Sequence, residues 1–145
     1  MPESKDVSNS LNGLLPYVAW TVALTGMVGS LFFSEVMELP PCDLCWYQRI
    51  AMYPLVGTIG VGIISRDGTL KAYSLPFAII GLAISVYHNL LYYKFISEAL
   101  TPCGEGVSCT AVQLELAGFV TIPLMTLAAF VIISGCLLLY RSGKV

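Results

Sequence analysis

The sequence predicts an all-α membrane protein: an antiparallel bundle of four transmembrane helices with both termini on the cytoplasmic side. Three observations predict it. Of the 145 residues, 57% are hydrophobic and only 11% are charged, where soluble domains carry about 25% charged residues, and the mean hydropathy is +0.80. Four apolar stretches account for most of the chain, each long enough to cross about 30 Å of hydrocarbon at about 1.5 Å per residue. The segments between them are too short to hold a second domain, so residues 1–145 are read as one membrane domain.

The first 13 residues are polar, and the span that follows is too long for a signal-peptide core, so Leu14 onward reads as a retained helix. Helix 1 is predicted over 14–37, helix 2 over 45–65, helix 3 over 72–93 and helix 4 over 116–140, with outer loops at 38–44 and 94–115. Hydrocarbon offers no partner to an exposed backbone, which makes these stretches helices rather than strands. Gly26, Gly29, Gly57, Gly60, Gly62 and Gly81 suit close helix approach. With the N-terminus inside, Lys5, Arg66, Lys71, Arg141 and Lys144 face the cytoplasm, and Arg49 and Lys94 face outward. The net charge of -2 and the lack of a basic cluster exclude nucleic-acid binding.

This orientation puts Cys42, Cys45, Cys103 and Cys109 on the outer face, where disulfides persist. The spacing Cys42-Asp-Leu-Cys45 admits structural staples, a zinc site of four thiolates, or redox chemistry. A helix 2 that begins near Pro41 places Cys42 and Cys45 one turn apart at its positive end, where free amides and the helix dipole stabilise thiolates. At about 100° per residue, Cys45 falls about 60° back from Cys42 and Arg49 about 20° back, so the three share a stripe. There the Arg49 charge favours a Cys45 thiolate and can polarise an acceptor carbonyl; the plain alternative is a side chain reaching out to the headgroups. Cys103 and Cys109 bracket Gly-Glu-Gly-Val-Ser, a short flexible loop whose bridge adds little stability and suits exchange with an incoming thiolate.

Four spans, "CDLCWYQR" in the first outer loop, a second outer-loop cysteine pair and "YHNLL" late in helix 3 resemble the DsbB family. The short "PCGEGVSC", the "CWYQRI" run and "GFVTIPL" at the start of helix 4 are most similar to its compact Bacillus-type branch, BdbC. The resemblance implies a thiol:quinone oxidoreductase of the bacterial cell membrane that reoxidises an extracytoplasmic thioredoxin-like thiol oxidase of the DsbA or BdbD kind. The relay from DsbA through DsbB to quinone is the known example of that coupling. Carried over by position, Cys103 meets the partner, Cys109 passes the exchange to Cys42, and Cys45 faces a menaquinone or ubiquinone with Arg49 beside its ring. The shorter second loop leaves open that Cys109 is the entry residue. No Rossmann fingerprint, haem motif or iron–sulfur run offers another acceptor, which agrees with a quinone in the bilayer.

The resemblance also places His88 near the quinone. It lies about 8 Å inside the outer end of helix 3, and ionisable groups at such depth tend to be functional, although a histidine satisfied within the bundle is the plain alternative. Glu35 is close enough to a helix end to face water. Trp46, Tyr47, Tyr92 and Tyr93 read as an interfacial belt, Met52 and Tyr53 as core packing, and Cys136 as a buried apolar residue. Two further activities fit the composition. One is a quinone reductase of the vitamin K epoxide reductase type, against which the position of "CDLC" before helix 2 counts; the other is a non-catalytic scaffold that binds zinc or is stapled by disulfides.

Overall fold

The structure is a computed structural model that describes residues 3–97, 115–116 and 120–141. Four helices follow in chain order: α1 Glu3–Glu35, α2 Asp43–Ile64, α3 Leu70–Tyr92 and α4 Ile122–Leu139. Each packs against its sequence neighbours, and α4 closes back on α1. Ser10–Glu35, Leu70–Tyr92 and Ile122–Leu139 are long and apolar enough to cross a membrane. Helix α2 has the length, with 22 residues, but its first half carries Gln48 and Arg49. Both belong to the site described below.

The outside of the bundle is as apolar as its core, and the core also holds several polar side chains. Ile64, Leu139, Ile50 and Val61 stand exposed on its outside, while Gln48, Ser74, Ser85, His88, Asn89 and Ser134 are buried. This arrangement suits hydrocarbon, which welcomes the apolar surface and leaves the polar groups to pair within the protein. The interior is filled by Leu55, Ile59, Leu70, Phe130, Ile133 and Leu137. Gly81 is required where α3 meets α4, because the Phe130 ring occupies the space a Cβ would take. Gly62 plays the same part against Leu70 and Tyr73. Gly29 and Gly57 have no such neighbour.

All four helix starts differ from the expectation, that of α3 by only two residues, Leu70 against 72. Helix α4 begins at Ile122, not at 116; before it, Glu115–Leu116 pairs antiparallel with Val120–Thr121 as two short strands, β1 and β2. The physical reason is Pro123, which has no N–H and would clash with the carbonyl four residues back, so it belongs in a first turn. A continuous apolar run hid that boundary. Helix α2 begins at Asp43 rather than 45, and Pro41 precedes the helix cap instead of opening the first turn. Helix α1 reaches back to Glu3, well before the predicted Leu14.

Candidate active site

The site starts from how α2 begins. Pro40 and Pro41 hold the preceding chain extended, and Cys42 takes the N-cap position with φ -71° and ψ 166°. Its Sγ accepts from the Cys45 backbone N–H at 3.3 Å. This is the bond that a serine or aspartate oxygen makes at most helix starts, closing one of the four open amides. Asp43 in the first turn further complements the dipole. The two cysteines therefore occupy the N-cap and the third helical position, with sulfur as the capping atom.

Helix α3 supplies the third group. His88 is 2% exposed, and its Nε2 lies 3.9 Å from Cys42 Sγ. Its Nδ1 lies 3.3 Å from Gln48 Nε2, which is also 3.3 Å from Ser85 Oγ. The two sulfurs and an imidazole nitrogen all fall within 4.8 Å of one another. A closed structural zinc site takes four ligands, and no fourth thiolate, imidazole or carboxylate joins these three among the described residues. The Cys42 thiol is drawn down to about 5, chiefly by its hydrogen bond with the Cys45 side chain; burial opposes this, and His88 adds to it. This shift favours the Cys42 thiolate, the form that attacks and the form that leaves.

On the other side of α2 lies a cavity of about 590 Å³ between α1, α2 and α4. Cys45, Gln48 and Arg49 face it from α2, Ser30 and Phe33 from α1, and Met125 from α4. Arg49 turns inward instead of out to the headgroups. Its guanidinium donates to the Ser30 carbonyl at 2.8 Å and lies 5.4 Å from the Trp46 ring centre, while its buried Nε has no partner. A buried donor left open costs about 1–3 kcal/mol, a cost that a ligand oxygen would remove.

The structure brings Cys42, Cys45, Arg49 and His88 to one end of the bundle. It separates their surroundings, however: Cys45 and Arg49 line the cavity, whereas His88 does not and sits behind Gln48 against Cys42. Gln48 stands on the α2 face toward the cavity, with the His88 ring against its amide. Met52 and Tyr53 line the cavity as well as packing the core. Cys136 packs against the core from the far half of α4. Cys103 and Cys109 lie outside the described residues. Gln48 is the residue that sequence reasoning missed; its signal was its place three after Cys45 on the same helix stripe. Ser30 gave none, since a backbone carbonyl carries no residue signature.

Comparison with known proteins places these features in context. The family model described as "Disulfide bond formation protein DsbB" matches residues 13–140. A probable disulfide formation protein C 2 of Bacillus anthracis is 49% identical over 116 residues, 80% of this chain and 82% of the relative. The disulfide bond formation protein C of Bacillus subtilis is 47% identical over 128 residues, covering 88% and 93%. A probable disulfide formation protein C of Halalkalibacterium halodurans is 46% identical over 142 residues, covering 97% and 99%. No solved structure matches the chain.

Proposed function

The chain belongs to the DsbB family of disulfide bond formation proteins, and from that premise we propose that it is a membrane thiol:quinone oxidoreductase. It reoxidises an extracytoplasmic thioredoxin-like thiol oxidase and passes the electrons to a quinone, menaquinone or ubiquinone, dissolved in the bacterial cell membrane. The cysteine end faces outward and both termini lie in the cytoplasm, as the five-to-two split of lysine and arginine favours. The observation that carries the reading is the cavity: one wall holds a cysteine of the redox pair, the next turn an arginine with an open donor, and most of the remaining lining is apolar.

The residues fit a quinone. Arg49 Nε is an unpartnered buried donor suited to a ring oxygen, and Phe33, Met52 and Met125 offer an apolar lining to its ring and tail. When bound, the quinone takes up the two electrons and two protons that a pair of thiols gives up on forming a disulfide. The protein's own residues do the rest. Cys103 or Cys109 exchanges with the partner's thiols, and the thiolate released in that loop attacks Cys42. Cys45 leaves as a thiolate into the cavity wall, where the Arg49 guanidinium, anchored on the Ser30 carbonyl, is fixed in place before the reaction. His88 serves the Cys42 sulfur from behind. The test is direct: detergent-purified protein, given a reduced thioredoxin-like partner, is expected to bleach a quinone at its absorbance band, and Cys45→Ala is expected to abolish the change. Full turnover by Cys45→Ala would overturn the reading.

A further inference from the structure

Gln48 is only 4% exposed, yet it touches both compartments of the site. It lines the cavity, and its amide nitrogen reaches His88 Nδ1 and Ser85 Oγ, each at 3.3 Å. A neutral imidazole carries one N–H, and the partner of one nitrogen decides which holds it. Here the far nitrogen, Nε2, faces Cys42 Sγ.

The sulfur decides between the two arrangements. Cys42 caps α2, and its Sγ already accepts from the Cys45 N–H at 3.3 Å, an environment of open amides and positive dipole that selects the thiolate. A bare Nε2 lone pair opposite a thiolate is repulsive; an Nε2–H is a donor to it. Nε2–H in turn leaves Nδ1 as an acceptor, and an acceptor buried this deeply requires a donor. The Gln48 amide has two hydrogens and two acceptors at bonding distance, His88 Nδ1 and Ser85 Oγ.

We propose that Gln48 is a positioning residue: its amide donates to His88 Nδ1, holds the imidazole proton on Nε2, and so makes His88 a hydrogen-bond donor to the Cys42 thiolate instead of a base for its thiol. The consequence for turnover rests on the thiol:quinone reading, but the geometry does not. No covalent bond changes in this step. The titratable groups that act on Cys42 are Cys45, one turn along α2, and His88 across from α3. With its proton locked, His88 supports Cys42 equally when that sulfur leaves and when it attacks.

The chain contains a single histidine, so ¹⁵N-histidine labelling reads the His88 ring alone, provided the purification tag holds no histidine. In the reduced full-length protein in detergent, ¹⁵N–¹H ring couplings are expected to show the proton on Nε2. Gln48→Met, of similar length and without a donor, is expected to spread the proton over both nitrogens. Gln48→Glu, whose carboxylate accepts, is expected to place a proton on Nδ1. The second readout is iodoacetamide alkylation of Cys42, resolved by peptide. Gln48→Met is expected to slow it roughly three- to tenfold between pH 5 and 7, the weight of one hydrogen bond, and to have no further effect in a His88→Ala background. A wild-type proton on Nδ1, which would mean that Gln48 accepts, overturns the proposal without needing any variant. An unchanged ring or an additive double variant does the same. Neither readout involves a quinone or a partner, so a wild type that fails to bleach quinone would remove the functional reading and leave this one standing.

Discussion

The two ends of the bundle solve the same problem, open polar groups at helix termini, in opposite ways. At the end away from the cysteines, the groups are closed by ordinary means. Asn12 and the chain after α4 exchange two hydrogen bonds, Nδ2 to the Arg141 carbonyl at 3.0 Å and the Arg141 N–H to Oδ1 at 2.7 Å. Lys71 Nζ donates to the carbonyls of Leu138 at 2.8 Å and Tyr140 at 3.4 Å, placing a cation on the negative end of α4. Asp67 accepts from both the backbone and the hydroxyl of Thr69 at 2.8 Å, and this holds the turn into α3. At the cysteine end a reactive sulfur caps α2, and Arg49 Nε, Asn89 Oδ1 and Thr121 Oγ1 are buried with no partner. One end pairs its polar groups; the other leaves three buried polar atoms open beside the capping sulfur.

The strongest way to break that contrast is to keep the cap and remove the redox atom. Cys42→Ser puts a preferred N-capping oxygen where the sulfur now accepts from Cys45 N–H. Quinone bleaching is expected to fall to background, while helix content and thermal midpoint in detergent stay close to wild type. Cys42→Ala should lose the same activity and about 1 kcal/mol of stability besides, because the capping bond goes with the sulfur. If Cys42→Ser were as unstable as Cys42→Ala, the sulfur would not be acting as a cap.

The next effect concerns the open donor on α2. Arg49→Met keeps an apolar stem in the cavity but removes the guanidinium that Ser30 anchors. Removing one preorganised donor to developing charge typically costs about 10²- to 10³-fold in rate. That loss is expected in quinone reduction at saturating quinone. Arg49→Lys is expected to recover little, because an ammonium cannot bond the Ser30 carbonyl and offer a second N–H in the same plane. A wild-type rate in Arg49→Met would make this residue a headgroup anchor instead.

How much of this contrast could be read beforehand depends on what carries the information. The helices were legible because about 20 apolar residues in a row have one structural solution in lipid. The pairing of Cys42 and Cys45 was legible because they keep the one-turn spacing that places both sulfurs at a helix start. The start of α4 was not, since hydropathy weighs Leu116 and Phe119 like any apolar residue and gives Pro123 no special weight. His88 was placed at the right end, but its partner was not readable: whether residue 88 or residue 48 meets the cavity depends on how α3 rotates against α2, a tertiary fact. The far end shows the same limit, since nothing in Asn12 announces a bond to residue 141.

At that far end the expected effects are smaller and fall on stability alone. Asn12→Ala removes both bonds to Arg141, and exposed amide pairs of this kind contribute about 1 kcal/mol. The thermal midpoint is expected to drop by a few degrees, with quinone bleaching by the assembled protein unchanged. A clear loss of turnover in a fully folded Asn12→Ala sample would mean that the two ends are coupled.

The smallest effect separates the ends by backbone strain. The exits of α2 and α3 both place a side-chain-bearing residue in the left-handed region, Arg66 with φ 48° and Lys94 with φ 59°. Both use the same pair of bonds: Asp67 N–H to the Gly62 carbonyl and Arg66 N–H to that of Ile63 in one, Phe95 to Leu90 and Lys94 to Leu91 in the other. Glycine is the residue that adopts this conformation without penalty. Each site therefore gives up about 1 kcal/mol for its Cβ, and Arg66→Gly and Lys94→Gly are each expected to raise the thermal midpoint by that measure. They should differ in topology. In the proposed orientation Arg66 is one of five cationic residues inside and Lys94 one of two outside, so Arg66→Gly weakens the charge asymmetry that would orient the chain and Lys94→Gly strengthens it. Cysteine labelling with a membrane-impermeant maleimide on intact cells reads that difference: a slightly larger shielded fraction is expected for Arg66→Gly, and none beyond wild type for Lys94→Gly. A reduced wild type whose cysteines are shielded from that reagent would mean that the cysteine end faces the cytoplasm.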